Sequence, residues 1–441
     1  LHGFGVYLEA NNETVEYNTL DRMGYLGMYI SGNNTLVRNN VVDSVCLVKD
    51  DGSAIYVNGY LSTTMSNRII ENNIVTNAIG APAGTTTTAY LAHGIYVDQY
   101  GNNVTIRNNT VTKAALAGIF CGFNTHDITI TGNTAYDNPT GFLVSEQDML
   151  ANNFTVSNNI FATPDTDDLI SVSTSGNTFA SIGTWSGNYY IKPFDDKAVA
   201  EYFALLSGKL IYNAYSFAGM PDATAKKEPV TIIPYTINSL TGSDKFTGTS
   251  DFTTSDLTGV SRIGGTGTLT WDNTGKIDGG SVRVEITTPS TTNSRNIVTF
   301  QIGALKANTK YIVKYDILGT TGNKAVGNYL RYDQTFYTVR EKYMPYGNTS
   351  SHVEMLLESN GAVASAGMCF DFYDGDGPVY IDNFEFFEAD VTKANPADHM
   401  LFDYATTTAK TVTGLSGWKS LANESVTTYT LQPYTSIVLT K

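Results

Sequence analysis

Cysteine is nearly absent: Cys46, Cys121 and Cys369 are the only three in 441 residues. They lie too far apart for a disulfide framework and show no paired metal-ligand spacing, so each is expected as a small buried side chain. Charge is also sparse. Only 16% of residues are charged, and 42 acidic against 27 basic residues leave a net charge of −15. With no basic run, the chain offers no footprint for a nucleic acid or an anionic membrane surface. No run of about 18 apolar residues occurs, which excludes a membrane-spanning helix. The opening LHGFGVYLEA lacks the basic and apolar regions of a signal peptide, so location has to be inferred indirectly. What is abundant is Gly (40), Tyr (28) and Phe (20), along with Asn and Thr, a composition suited to β-structure with many turns. At roughly 150 residues per domain the length implies two or three cores. The expectation is an all-β, secreted or cell-surface protein.

Residues 1–175 contain a repeat. Its first strand reads GVYLE (5–9), GMYIS (27–31), AIYVN (54–58), GIYVD (94–98), GIFCG (118–122) and GFLVS (141–145). Its second reads ETVEYNTL (13–20), TLVRNNVV (35–42), RIIENNIV (68–75), VTIRNNTV (104–111), ITITGNTA (128–135) and FTVSNNIF (154–161). Alignment places Asn18, Asn40, Asn73, Asn109, Asn133 and Asn159 in one column. At a bend between strands, each Asn amide can bond its counterpart one rung away and satisfy turn backbone groups. Parallel strands stacked at about 4.8 Å per rung give a solenoid lined by alternate apolar residues. These motifs resemble the right-handed parallel β-helix of the pectin-lyase-like superfamily. The chain opens inside a repeat, so upstream coils or another chain are expected to cover the first rung.

Alternation sends Ile95 and Val97 inward and Tyr96 and Asp98 outward. Tyr7, Tyr29, Tyr56, Tyr96 and Phe120 then form an outer column, read as packing with one or two rings left for a sugar. The segment 196–239, with a helix-like piece at 195–207, reads as the cap and exit of a solenoid spanning 1–195. From 240 to 390, alternating strands between Gly/Thr/Ser turns read as a β-sandwich. Its closing VYIDNFEFFEA and the earlier KANTKYIVKYDI resemble jelly-roll carbohydrate-binding modules. That resemblance implies a structural calcium with Asp382 as a ligand, the alternative being a cap on the turn DGDGP (374–378). Tyr329, Tyr332, Phe336, Tyr337, Tyr343 and Tyr346 crowd this module as a sugar-stacking cleft would, half of them expected in the core. Residues 391–441 resemble the small β-sandwich that closes secreted bacterial polysaccharide-degrading enzymes, with the 240–390 module inserted ahead of it.

Two long insertions, 42–53 and 77–93, precede first strands and deliver KDDGSAIYV (49–57) and AHGIYVD (92–98) to the same strand entrance. Aligning Ala54 with Gly94 puts Ser53 beside His93 and brings Asp50 and Asp51 to that patch. Glycoside hydrolysis needs an acid to protonate the leaving oxygen and a second carboxylate to activate water or attack carbon. The pieces DDGSAI and HGIYV also resemble the Asp-Asp and Gly-His-Gly motifs of polygalacturonases. That resemblance makes one of Asp50 and Asp51 the general acid, the other an assistant to water, and His93 a residue that tunes or orients them. Ala92 departs from the histidine motif, and no Arg-x-Lys clamp follows. Asp98, beside Asn58 on the preceding rung, pairs with Glu146 two rungs on as a second carboxylate pair.

The catalytic candidates are therefore Asp50, Asp51, His93 and Asp98, with Tyr56, Tyr96, Asn58 and Glu146 toward the substrate and no catalytic cofactor. A polysaccharide hydrolase is the leading expectation. A β-helix lyase would need a cation and a base, for which only Lys49, Arg22 and Arg68 are near. The third reading is a non-catalytic glycan-binding adhesin or scaffold, for which the aromatics alone would suffice.

Overall fold

The computed structural model describes residues 3–441 except 60–64, 84, 86–87, 147–149, 165–167, 175–177, 196–197, 207–208, 265, 289–295, 323, 340 and 373–376. The chain divides into two units. One comprises Leu1–Glu201, Met220–Pro234 and Asn395–Lys441; the other comprises Tyr202–Gly219 and Tyr235–Ala394 and so interrupts the first in sequence.

In the first unit, each coil contributes three strands, where the sequence repeat suggested two. The expected second strand breaks at its Asn bend into a pair such as Asn102–Arg107 and Thr110–Thr112, because the bend takes only two residues. Sheet 1 stacks Val6–Leu8, Met28–Ile30, Gly52–Asn58, Ala92–Asp98, Ala117–Gly122, Thr140–Ser145 and Asp168–Thr174 in parallel. Sheet 2 runs from Thr14–Glu16 to Gly183–Ser186 and sheet 3 from Thr19–Asp21 to Tyr189–Ile191. Inward positions register from rung to rung. Ile55, Ile95, Ile119, Phe142 and Ile170 form one column, and Val57, Val97, Cys121, Val144 and Val172 the next, all fully buried. Cys121 thus fills a valine slot, and all three cysteines are free and buried.

The bend between sheets 2 and 3 explains the Asn-Asn pairs. Its first residue is left-handed (φ 54 at Asn39 and Asn72, 55 at Asn108, 54 at Asn158), a conformation that Asn tolerates and that Gly132 and Gly187 adopt freely. The second is the ladder residue. Asn109, for example, donates from Nδ2 to the carbonyls of Ile70 and Arg107 and to Asn133 Oδ1, while its own Oδ1 accepts from the backbone N–H and Nδ2 of Asn73. The column continues one rung beyond the repeat seen in sequence, to Asn188. Asp222 then ends it, accepting from the backbone of Gly187 and Asn188 and from Asn188 Nδ2. Burial works against the Asp222 charge, but the hydrogen bonds from Asn188, Thr224 and Gly187 outweigh it and hold its carboxyl below the ordinary range. The four-stranded antiparallel sheet of Met400–Ala405, Thr435–Thr440, Lys410–Ser420 and Ser425–Leu431 belongs to this unit, where Phe402 stacks on Tyr136 at 4.3 Å.

The helix-like piece expected at 195–207 is instead a strand, Ala200–Leu206. Burial at 200, 202 and 204 against exposure at 203 is a period of two, which the Tyr and Phe favour.

The second unit is a β-sandwich of two antiparallel sheets. One orders Thr266–Asp272, Ser281–Thr288, Val379–Lys393, Lys310–Leu318 and Ser351–Glu358; the other orders Val260–Ile263, Asn296–Leu305, Val363–Phe372, Lys324–Tyr332 and Thr335–Phe336. Phe300, Phe370, Phe372, Phe384, Phe386 and Tyr315 fill the space between them. The expected aromatic cleft does not open as one surface. Tyr329 and Tyr346 are buried, Tyr343 stacks on Tyr212 at 4.3 Å, and only Tyr332 and Phe336 stand about half exposed.

Candidate functional site

The outer face of sheet 1 carries the candidate residues in the expected register: His93 beside Ser53, Tyr96 beside Tyr56, and Asp98 beside Asn58. Burial separates them. The outward side chains are themselves covered, Tyr96 to 2% exposure, His93 to 2% and Asp98 to 5%, and Leu26, Tyr56, Tyr96, Ala117 and Phe120 pack together over the strands.

The two adjacent aspartates have different environments. Asp50 is buried, and both its oxygens accept from the Leu91 N–H at 2.9 and 3.0 Å, so it pins the end of the long 77–93 loop. Asp51 is exposed and sits in the left-handed region at φ 54. Partial desolvation, then the charges of Asp98 and Asp50, raise its carboxyl above the ordinary range. Asp98 accepts from the Tyr56 hydroxyl at Oδ2 and from the Gln99 N–H at Oδ1, 2.8 Å away. Burial and the neighbouring Asp98 push the Tyr56 and Tyr96 phenols upward.

His93 does not orient either acid. Its Nδ1 is buried with no hydrogen-bond partner, and its ring packs against Phe120 at 4.5 Å and Tyr96 at 4.9 Å. Burial pushes its pKa down to about 3, so the imidazole stays neutral. Glu146 accepts from the Ala151 N–H and the Thr174 hydroxyl, and residues 147–149 lie outside the described residues. Asn58 gives its backbone carbonyl to Arg68 Nη1 at 3.0 Å. Arg68 is turned inward and fully buried, with its pKa lowered to about 10 by that burial, so it offers no cation to this face.

Tyr25 was not among the sequence candidates. Its hydroxyl donates to the Asp51 carbonyl at 2.7 Å, and the Lys49 ammonium lies 5.5 Å from its ring. Burial first, and then Asp51, push the phenol to about 12. The signal was present, since Met28 pairs with Ile55 and this register sets Tyr25 one rung from Gly52.

The outer aromatics form a column of parallel rings. Tyr7 lies 4.7 Å from Tyr29 at an interplanar angle of 6°, and Tyr29 lies 5.7 Å from Tyr56 at 16°. Rings stacked on one another present edges and hydroxyls outward rather than faces. The column breaks at Tyr56 and Tyr96, which meet edge to face at 82°, and this break is where Asp98 sits.

In the sandwich, Asp382 is fully buried. Its Oδ1 accepts from the Asn383 N–H at 2.8 Å, and its Oδ2 has no hydrogen-bond partner. Burial, with Asp278 adding to it, raises its pKa to about 7. An orphaned carboxylate oxygen beside a second acid fits a hard cation. Among the described residues no three His, Cys, Asp or Glu side chains gather to hold a metal, so carbonyls and water would have to complete such a site. Residues 373–376 of the turn ahead of Asp382 lie outside the described residues.

Residues 4–189 match the family described as right handed beta helix region, and this stretch is a right-handed parallel β-helix. No curated protein matches the chain. Among solved structures, an arabinose-bound α-L-arabinofuranosidase is 12% identical at a TM-score of 0.25, over 34% of this chain and 26% of that one. The enzymatically active domain of tailspike protein 4 from bacteriophage CBA120 is 11% identical at a TM-score of 0.27, over 83% of this chain and 55% of that one. A family 11 carbohydrate-binding module from Clostridium thermocellum, in complex with a mixed-linked tetrasaccharide, is 10% identical at a TM-score of 0.25, over 34% and 98%. At these scores the likenesses carry no weight for function. No helix among the described residues is long and apolar enough to cross a membrane.

Proposed function

We propose that this chain is a polysaccharide-degrading glycoside hydrolase whose acids are Asp51, just ahead of the strand Gly52–Asn58, and Asp98, at the end of the neighbouring strand. The observation that carries the reading is the divergence of the two carboxyls. Asp51 is exposed and its pKa is raised, so it is suited to hold a proton for a leaving oxygen. Asp98 is held in one orientation by a phenol and a backbone N–H, so it is suited to act as the second carboxyl of the pair. Asp50 is assigned to the scaffold and His93 to packing, and neither takes part in the chemistry.

Lyase chemistry would need a cation to neutralise a uronate and a base of lowered pKa. The phenols of Tyr25, Tyr56 and Tyr96 are all raised, which leaves none of them as a base of lowered pKa, and of the nearby cations Arg68 is buried while Lys49 lies over the Tyr25 ring. A non-catalytic binder would need ring faces, but the column shows edges. Both features favour the hydrolase. The substrate is a neutral glycan, since the net charge of −15 repels polyanions. The protein acts outside the cell, where such polymers occur, and a calcium ion at Asp382 stabilises the sandwich.

The test is a panel of neutral and acidic polysaccharides assayed for new reducing ends and for the ultraviolet absorbance of unsaturated products. Reducing ends from a neutral glycan without unsaturation are expected. Unsaturated products would establish the lyase, and glycan binding without release on any member of the panel would establish the scaffold.

A further inference from the structure

The solenoid unit has a concavity away from the outer face of sheet 1. A cleft of about 800 Å³ opens where the turns after sheet 3 face the strand Met400–Ala405, a volume in the range of small-molecule sites. One wall is Lys113, Tyr136 and Asp137; the other includes Asn395, Ala397 and Phe402.

Both walls are fixed without a ligand. The Lys113 N–H donates to the Asp137 carbonyl at 3.1 Å, and the Asp137 N–H to the Ala162 carbonyl at 3.0 Å, so the turns stack rung upon rung. Across the cleft, Met400 is buried against Ala162 and Ile191, and Phe402 lies parallel to Tyr136 at 4.3 Å. A preformed cleft avoids the ordering cost that weakens binding to a mobile surface.

The lining mixes the two kinds of surface a sugar presents. Pro164 and Pro396, with the edges of the Tyr136–Phe402 stack, offer apolar area for C–H groups. Lys113 offers hydrogen-bond donors, Asp137 acceptors and Asn395 the donors of its Nδ2, its Oδ1 capping the Ala397 N–H, and sugar hydroxyls can satisfy either kind. Lys113 is exposed, and among the described residues no carboxylate pairs with its ammonium. Asp137 is the one carboxylate among the described residues of this lining, whereas Asp51 has Asp50 and Asp98 close enough to act on its charge.

We propose that this cleft is a separate saccharide-binding site that holds a neutral oligosaccharide without cleaving it. A polymer chain anchored there stays near the protein between encounters with the sheet 1 face, raising its effective concentration.

The experiment uses the full chain carrying Asp51→Asn, labelled at the methionine methyls. Xylotetraose, cellotetraose, β-1,4-galactotetraose and α-1,5-arabinotetraose are added in turn, and the Met400 signal is assigned through Met400→Leu. At least one probe is expected to shift that signal saturably. Ala397→Trp, at an exposed position, fills the cleft and is expected to abolish the shift; Lys113→Ala is expected to weaken binding about five-fold. Silence of Met400 toward all four probes, or a shift that survives Ala397→Trp, would overturn the proposal. Neither result depends on whether Asp51 is catalytic.

Discussion

Asn109 in the solenoid and Asn328 in the sandwich are both buried amides with satisfied hydrogen bonds. Asn109 repeats the contacts of Asn73 on one side and Asn133 on the other. Asn328 accepts from the Tyr315 hydroxyl at 3.0 Å and donates to the carbonyls of Val326 and Lys342, a set of partners found once among the described residues of the sandwich. The solenoid satisfies its buried polar groups periodically, so each rung depends on its neighbours. The sandwich meets them individually and draws its stability from one aromatic core assembled from distant strands.

That contrast is open to mutation, with hydrogen exchange read by mass spectrometry in each unit separately. The largest effect is expected for Asn109→Ala, which strands donors and acceptors on both neighbouring rungs in a dry interior and costs about 5 kcal/mol. Loss of protection should spread along sheets 2 and 3 and leave the sandwich unchanged. Phe300→Ala empties the centre of the sandwich core and should cost about 3–5 kcal/mol there, sparing the solenoid.

Asp382 gives a smaller, pH-dependent effect. Its folded pKa of about 7 lies above the ordinary carboxylate value of about 3.9, so the folded sandwich holds a proton that the unfolded chain has released. In chelator, sandwich stability should therefore fall by about 3 kcal/mol as pH rises from about 4 to 7. Millimolar calcium should restore it by favouring the ionised form; denaturant melts at several pH values, with and without calcium, provide the check. The smallest change is expected for Asn18→Ala at the exposed first rung, about 1 kcal/mol against the 5 at Asn109.

Periodicity also explains what the sequence disclosed. The ladder from Asn18 to Asn159 was legible because the same residue recurs at the same bend. Asn188 escaped because the strand before it, Gly183–Ser186, carries a tryptophan instead of the aliphatic pattern; Gly187 ahead of it is no obstacle, since Gly132 stands in the same place ahead of Asn133. The register of Ser53 with His93 and of Asn58 with Asp98 followed from aligning the strands. The fate of those side chains did not, because it depends on what covers the sheet. Tyr96 and Phe120 bury His93, and the Leu91 N–H captures Asp50; neither contact leaves a mark in a strand pattern. Adjacent in sequence, Asp50 and Asp51 were indistinguishable until the loop end at Leu91 was placed. The aromatic column was visible as a column, but the tilt of its rings, which decides between faces and edges, was not.

The most direct test of the account is the rate of reducing-end release by wild type, Asp51→Asn and Asp50→Asn on the glycan the panel identifies, with hydrogen exchange confirming that both variants fold. The account predicts that Asp51→Asn lowers kcat by about 100-fold or more while Asp50→Asn mainly loosens the 77–93 loop. Full activity in Asp51→Asn would contradict it.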